Sequence, residues 1–287
     1  MPLGFHGRWL KFGVDVETSM NLWNIFLGAV AAGRVKRVVD GNTASPFKYP
    51  WVVAIFRYSV YKCSGTLLSS NRVITAAHCF AGARAELTHY EVHAHRHNIS
   101  LAASEEDGEV FGVKKRWIHP DFDEETYYND VAIIQINSTT AYRPSVILDT
   151  SLNHTEGAKY NIAGWGALAE NQRSTSLLQE ALVPINSHER CRQEYINAEE
   201  YNITSSHICA GGLNQTSDAC HGDSGGPLFI QSLQGPVLVG VTSTGHYCGH
   251  ESVPGIYMRI SSYLGWINKV LQGRIPPTPH QKPPWMT

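Results

Sequence analysis

The chain has 287 residues, 43% of them hydrophobic and 17% charged, with a formal net charge of −2. So nearly neutral a composition, with no long like-charge run, excludes a nucleic-acid footprint, a polybasic membrane patch and a disordered chain. It can bury a substantial core, as one large domain or two coupled ones.

In chain order the first feature is the run from Leu22 to Ala32, apolar apart from Asn24. It is too short for a bilayer span of about 20 residues, but it has the length of a signal-peptide core and carries the small residues Ala29, Ala31 and Ala32 near its end. Met20 offers an alternative start just before it. Residues 1–37 are read as a signal and propeptide region closing on the basic run Arg34-Val35-Lys36-Arg37, with export to the extracellular space expected and no stable membrane span.

From Trp51 to Ile136, short β-branched runs such as Trp51 to Phe56 and Arg72 to Thr75 alternate with turn-rich loops and read as strands. Tyr160 to Gly166, Pro227 to Ile230, Val237 to Ser243 and Gly255 to Ile260 repeat the habit. One helix is evident: after Ser261-Ser262 as a cap, Tyr263, Leu264, Trp266, Ile267, Val270 and Leu271 form a wide apolar stripe ending before Gly273. Residues 274–287, with Pro276, Pro277, Pro279, Pro283 and Pro284, read as a flexible tail unable to form a ladder.

The six cysteines Cys63, Cys79, Cys191, Cys209, Cys220 and Cys248 include no C-x-x-C pair, which disfavours zinc and fits an oxidising compartment. Spacing alone leaves their pairing open. Asn98, Asn137, Asn153, Asn202 and Asn214 each begin an Asn-x-Ser/Thr glycosylation signal, in keeping with a secreted chain.

The chemistry concentrates in Asp218-Ala219-Cys220-His221-Gly222-Asp223-Ser224-Gly225-Gly226-Pro227, where glycines and acids surround one serine in a way no packing role requires. A serine hydroxyl is a poor nucleophile at neutral pH, so Ser224 needs a base within reach, and that base needs an orienting acceptor. Thr75-Ala76-Ala77-His78-Cys79 offers the base, and Asp130, at the mouth of the apolar run Val131 to Ile134, offers the carboxylate. Each alone has a plainer reading, as a satisfied core histidine or a turn-forming aspartate. Together they are the parts of a charge-assisted nucleophile.

The order His78, Asp130, Ser224 is that of the chymotrypsin-like proteases rather than of subtilisins or α/β-hydrolases, and from about Val38 to Gln272 the chain resembles a trypsin-like serine protease. The resemblance implies an all-β fold of two antiparallel six-stranded β-barrels, with the active site in the cleft between them and a C-terminal helix. The protease domain would span 38–273, with the barrel boundary near 145–160. Also implied are the disulfides Cys63–Cys79, Cys191–Cys209 and Cys220–Cys248, and an oxyanion hole made by the N–H groups of Gly222 and Ser224. Cleavage after Arg37 would free Val38, whose ammonium would pair with Asp223. Both a furin-like protease and self-cleavage remain candidates for that step, and no cysteine before Val38 would tether a released propeptide.

Asp218, six residues before Ser224, matches the bottom of the family's primary pocket, which implies protein or peptide substrates with Arg or Lys before the scissile bond. Ser243, Gly245 and Gly255 match positions lining that pocket, and Ala219 lacks the hydroxyl that many relatives carry, which favours Arg over Lys. Two departures stand out: Thr244 replaces a usual tryptophan, reducing the apolar shelf for upstream substrate residues, and Tyr247 replaces a usual glycine. The expectation is a secreted serine endopeptidase, made as a zymogen and monomeric, needing no cofactor and meeting an activating protease and protein inhibitors. A non-catalytic homologue acting as a binding module is the rival, and esterase action would leave Asp218 unexplained.

His93, His95 and His97 alternate on what reads as a strand and could share a face for a divalent metal, though no carboxylate or thiolate completes a site and a solvated face is the plainer reading. Glu105, Glu106, Asp107 and Glu109 are similar to the calcium loop of some relatives. Arg96 stands where that loop needs its first carboxylate, so no metal is expected.

Overall fold

A computed structural model of the protein describes residues 41–82, 86–142, 146–197, 201–212, 218–245, 248 and 253–279. The signal and propeptide region, the activation residues Arg37 and Val38, Asn214 and Tyr247 lie outside the described residues.

After a two-residue strand β1 (Asn42–Thr43) come β2 (Val52–Arg57), β3 (Val60–Ser69), β4 (Arg72–Thr75), β5 (Tyr90–Ala94), β6 (Glu109–Ile118) and β7 (Ala132–Ile136). Strands β2 to β7 close into an antiparallel barrel in the order β2-β3-β4-β7-β6-β5. Period-two patterning drives the closure: along β5, Tyr90, Val92 and Ala94 point inward, while β2 is buried along nearly its whole length. Ile55, Leu67, Val73, Val92 and Ile134 fill the interior with Phe80 and Tyr90, each aliphatic side chain contributing about 1.5 to 3 kcal/mol by leaving water.

The second half contains β8 (Ile147–Leu148), β9 (Lys159–Gly164), β10 (Gln179–Pro184), β11 (His207–Ala210), β12 (Pro227–Ser232), β13 (Gly235–Thr244) and β14 (Gly255–Arg259). Its sheet runs β10-β9-β12-β13-β14-β11, with β1 added beside β10 and β8 lying parallel to β13. Among the described residues the two ends of this sheet meet at one isolated bridge, Ile185 with Ala210, supported by Gly211 N–H donating to the Pro184 carbonyl and Asn186 N–H to the Cys209 carbonyl, both at 2.9 Å. The first barrel is therefore closed by strand ladders and the second by a stitch.

Two helices depart from the sequence expectation. Helix α1 (His188–Asn197) has too polar a face to show in the pattern; it is held by the Cys191–Cys209 disulfide and by Tyr195 Oη donating to the Pro254 carbonyl at 2.6 Å. Helix α2 (Ile260–Leu271) begins one residue before the expected serine cap, with Arg259 at the N-cap and Ser261 and Ser262 already inside its first turn. Strand β14 runs straight into α2 because Arg259 is anchored, its guanidinium donating to the carbonyls of Ser205, Leu152 and His207. The buried stripe is Ile260, Tyr263, Ile267 and Val270, and Leu271 is exposed.

The start of the proline-rich tail lies along β6: Thr278 N–H donates to the Arg116 carbonyl, Ile118 N–H to Thr278 Oγ1, and Trp117 Nε1–H to the Ile275 carbonyl. Residues 280–287 are outside the described residues. No described helix is long and apolar enough to cross a membrane.

Candidate active site

His78 sits in a short 3₁₀ turn (Ala77–Cys79) at the end of β4, pinned to β3 by the Cys63–Cys79 disulfide. Asp130, fully buried just before β7, faces it, because β4 and β7 are neighbours that pair Thr75 with Ala132. The carboxylate accepts from His78 Nδ1 at 2.7 Å, from the His78 backbone N–H at 2.8 Å and from Ser243 Oγ at 2.6 Å. With Nδ1 committed as a donor, Nε2 is left as the basic nitrogen. Ser243, expected only as a pocket residue, thus also supports the acid; a hydrogen bond across 113 positions leaves no local signal in the chain.

Ser224 lines the same cleft as His78, a hollow of about 210 Å³ that also exposes Ala219, His221, Gly245 and Gly255. Among the described residues no hydrogen bond joins His78 Nε2 to the Ser224 hydroxyl in this geometry. Such bonds commonly tighten only when substrate is bound. The turn around the serine is sharp: Gly225 has φ +80°, and a Cβ there would fall 2.0 Å from Thr75 Oγ1. Within the turn Asp223 N–H donates to the Cys220 carbonyl and Gly226 N–H to the Asp223 carbonyl, a pairing in which the N–H groups of Gly222 and Ser224 take no part.

Asp223 points away from the cleft into the second barrel, where its carboxylate accepts from Gly166 N–H at 2.9 Å and Cys220 N–H at 3.0 Å. Burial outweighs those two donors and pushes its pKa up to about 6. Asp218 is also buried and accepts from Ala219 N–H at 2.8 Å. It lies beneath Gly255, where an added Cβ would come 2.7 Å from Asp218 Oδ1, and Gly245 faces Gly255 across the slot. Both glycines line the cleft, and Gly255 has no side chain to separate it from the buried acid. The Cys220–Cys248 disulfide closes its rim, and Thr244 forms part of the wall.

One rim contact was not foreseen. Glu170 accepts from Cys248 N–H and pairs with His221 Nε2, both at 2.9 Å, tying the loop after β9 to both sides of that disulfide. Hydrogen bonding from Cys248 and His221 holds the Glu170 carboxyl below its ordinary pKa.

The three alternating histidines neither share a strand face nor lie bare to solvent. Strand β5 ends at Ala94, and His95 has φ +54°. His93 stacks on Phe56 and bonds Glu91, while His95 is sandwiched between Phe47 and Tyr142. In the acidic loop the Arg96 guanidinium is buried and donates to Glu106 and to the carbonyls of Asn98 and Leu101, an internal cation at the centre of the loop.

Residues 38–267 match the family model for Trypsin. The chain is 35% identical over 241 residues to serine protease 56 of Mus musculus, an alignment covering 81% of this chain but 38% of that protein. It is 30% identical over 254 residues to the clotting factor G beta subunit of Tachypleus tridentatus, covering 84% and 81%, and 32% identical over 246 residues to the proclotting enzyme of the same species, covering 80% and 65%. The chain thus spans well under half of the first of these relatives and just under two thirds of the last. With that match over most of its length, on a fold that brings histidine, aspartate and serine to one cleft, the chain belongs to the trypsin family of serine proteases.

Proposed function

We propose that this protein is a secreted serine endopeptidase, made as a zymogen, that cleaves after Arg and secondarily Lys through an acyl-enzyme on Ser224. The observation that carries the reading is the joint placement of His78, already paired with Asp130, and Ser224 on one cleft, whose wall residue Gly255 lies against Asp218. Ser224 Oγ attacks the scissile carbonyl carbon as His78 Nε2 takes the hydroxyl proton. The N–H groups of Gly222 and Ser224 receive the oxyanion, and the C–N bond breaks as His78 passes the proton to the leaving amine. Water then enters by the same route, its proton going to His78, and the acyl bond breaks to release the acid and restore Ser224. Asp130 keeps the imidazole in the right tautomer and stabilises its protonated form.

Zymogen control rests on Asp223. A carboxylate this deeply buried is costly unless a cation joins it, and the ammonium of Val38, freed by cleavage after Arg37, is the cation the chain order supplies. Export is supported by the three disulfides and by the exposure of Asn137, Asn153 and Asn202; Asn98 is half-buried, with Oδ1 engaged by Ser100.

The test is to cleave the precursor after Arg37 and follow the first turnover of an arginyl ester. A burst of one equivalent is expected, absent in Ser224→Ala and in Arg37→Gln treated with the same activating protease. No burst from the cleaved wild-type chain would leave the two-barrel surface as a binding module.

A further inference from the structure

The first barrel reaches across the cleft to the oxyanion turn through two residues of β3. Ser64 N–H donates to the Ser224 carbonyl at 2.8 Å, and Tyr61 Oη donates to the Gly222 carbonyl at 2.7 Å. Residues three apart on a regular strand face opposite sides. Here the pairing of β2 with β3 slips, Ile55 standing opposite Cys63 but Phe56 opposite Tyr61, so Lys62 is an extra residue. That bulge puts Tyr61 and Ser64 on one side, and their oxygens meet at 2.8 Å. Because the phenol proton goes to the Gly222 carbonyl, Ser64 Oγ–H donates to the phenol.

The ring has little freedom. It packs edge-on against Phe56 and Trp165, and a Cβ on Gly222 would come 3.0 Å from Tyr61 Cε1. Burial, reinforced by the charge of Asp223, raises the phenol pKa well beyond its ordinary value, so it remains a donor at any working pH. Gly222 itself has φ +99° and no side chain of its own to hold it. The turn is therefore pinned on one flank by Asp223 through Gly166 and Cys220, and on the other by Tyr61.

We infer that Tyr61 is a positioning residue for catalysis: its hydroxyl holds the Gly222 carbonyl, in the peptide unit after that glycine, and so fixes the glycine's conformation and with it the direction of its own N–H, in the unit before, toward the developing oxyanion. The inference rests on the reading of Gly222 as an oxyanion donor. Tyr61 does not line the cleft that holds His78 and Ser224; it acts through the turn. Removing the hydroxyl frees Gly222 to turn about its own φ and ψ, which misaims its N–H and weakens the transition state while leaving the substrate-binding slot beside Asp218 intact.

Tyr61→Phe in the cleaved, active-site-titrated enzyme tests this with three readings. The kcat for an arginyl substrate should fall about tenfold with KM unchanged. The affinity of an arginine-like boronate, whose tetrahedral adduct on Ser224 places an oxygen in the oxyanion site, should weaken by the same factor. Benzamidine, which occupies only the primary pocket, should bind as before. Ser64→Ala, which removes the donor to the phenol but leaves the bond to Gly222, should act in the same direction by about two- to threefold and serves if Tyr61→Phe does not fold. An unchanged kcat, or a kcat loss without the matching boronate loss, or benzamidine weakened equally, overturns the inference. A wild-type chain without a burst overturns the oxyanion reading beneath it, and this inference with it.

Discussion

The two barrels differ in how complete their contribution to the cleft is. On the first barrel, Asp130 already accepts two hydrogen bonds from His78, with a third from Ser243 of the second sheet, and the two residues stand at the adjoining ends of the neighbouring strands β4 and β7 of a closed barrel. On the second, among the described residues, the serine turn belongs to a sheet whose ends meet at one isolated bridge, and its buried Asp223 has two backbone donors against full desolvation. The lesson is a division of labour. The His78–Asp130 pair is complete in the folded chain, whereas the buried Asp223 carboxylate has no cation partner among the described residues, which is where the proposed cleavage after Arg37 would act.

The largest effect should come from breaking the finished side. Asp130→Asn keeps the shape of the site and an oxygen for the His78 backbone N–H, but with the amide nitrogen in place of Oδ2 it presents an N–H to His78 Nδ1, selecting the wrong tautomer, and Ser243 Oγ turns from donor to acceptor. A fall in kcat of about 10⁴-fold is expected, the magnitude this substitution carries in related triads. Because the serine side is untouched, the slot beside Asp218 should still bind benzamidine normally. A loss below tenfold would mean that His78 does not depend on Asp130 for its tautomer.

Breaking the unfinished side gives a smaller effect with a pH signature. In the uncut chain, the Asp223 pKa moves from 3.8 to about 6 on folding, so the folded state binds the proton more tightly. The corresponding stability is fully present below pH 3.8 and is lost as pH rises through about 6, a cost of roughly 3 kcal/mol at neutral pH. An ammonium from Val38 would cancel that cost, and its own pKa should rise above the ordinary 7.7 to 8.0, so its contribution fades as pH climbs through the raised value. Urea unfolding of Ser224→Ala, before and after cleavage at Arg37, should show the cut form more stable at pH 7, with the gap narrowing toward pH 4 and again above pH 9. A gap independent of pH would remove the buried ion pair from the account.

The legible part of the site was the part written in adjacent residues. His78 beside Cys79, Asp130 ahead of an apolar strand and Ser224 among glycines are local patterns, and the chemistry of a hydroxyl nucleophile requires all three. Contacts set by register were not legible. Tyr61 reaches Gly222 only because Lys62 is an extra residue in β3, and Ser243 reaches Asp130 from the opposite barrel. The fold shows the same divide: alternating runs announced the strands, while α1, held by a disulfide and one tyrosine hydroxyl rather than by an apolar stripe, did not. The alternating histidines misled because period two persists in sequence past Ala94, where the strand itself has ended.

The smallest expected effect sharpens what the two sides share, the slot proposed to select the substrate. Ala219 lines the cleft, and its N–H is bound to Asp218 Oδ1, so its methyl group sits beside the acid with no hydroxyl to offer. A guanidinium is long and bidentate and can meet the carboxylate directly, whereas a lysine ammonium is shorter and needs an additional acceptor nearer the mouth. Ala219→Ser supplies one without disturbing His78, Asp130 or the oxyanion turn. The kcat/KM for lysyl peptides should rise by about two- to tenfold relative to arginyl peptides, the range of one added ordinary hydrogen bond, with kcat for the arginyl substrate nearly constant. An Arg-to-Lys ratio that does not move would place the ammonium away from residue 219. It would also detach Asp218 from specificity while leaving the catalytic residues where they are.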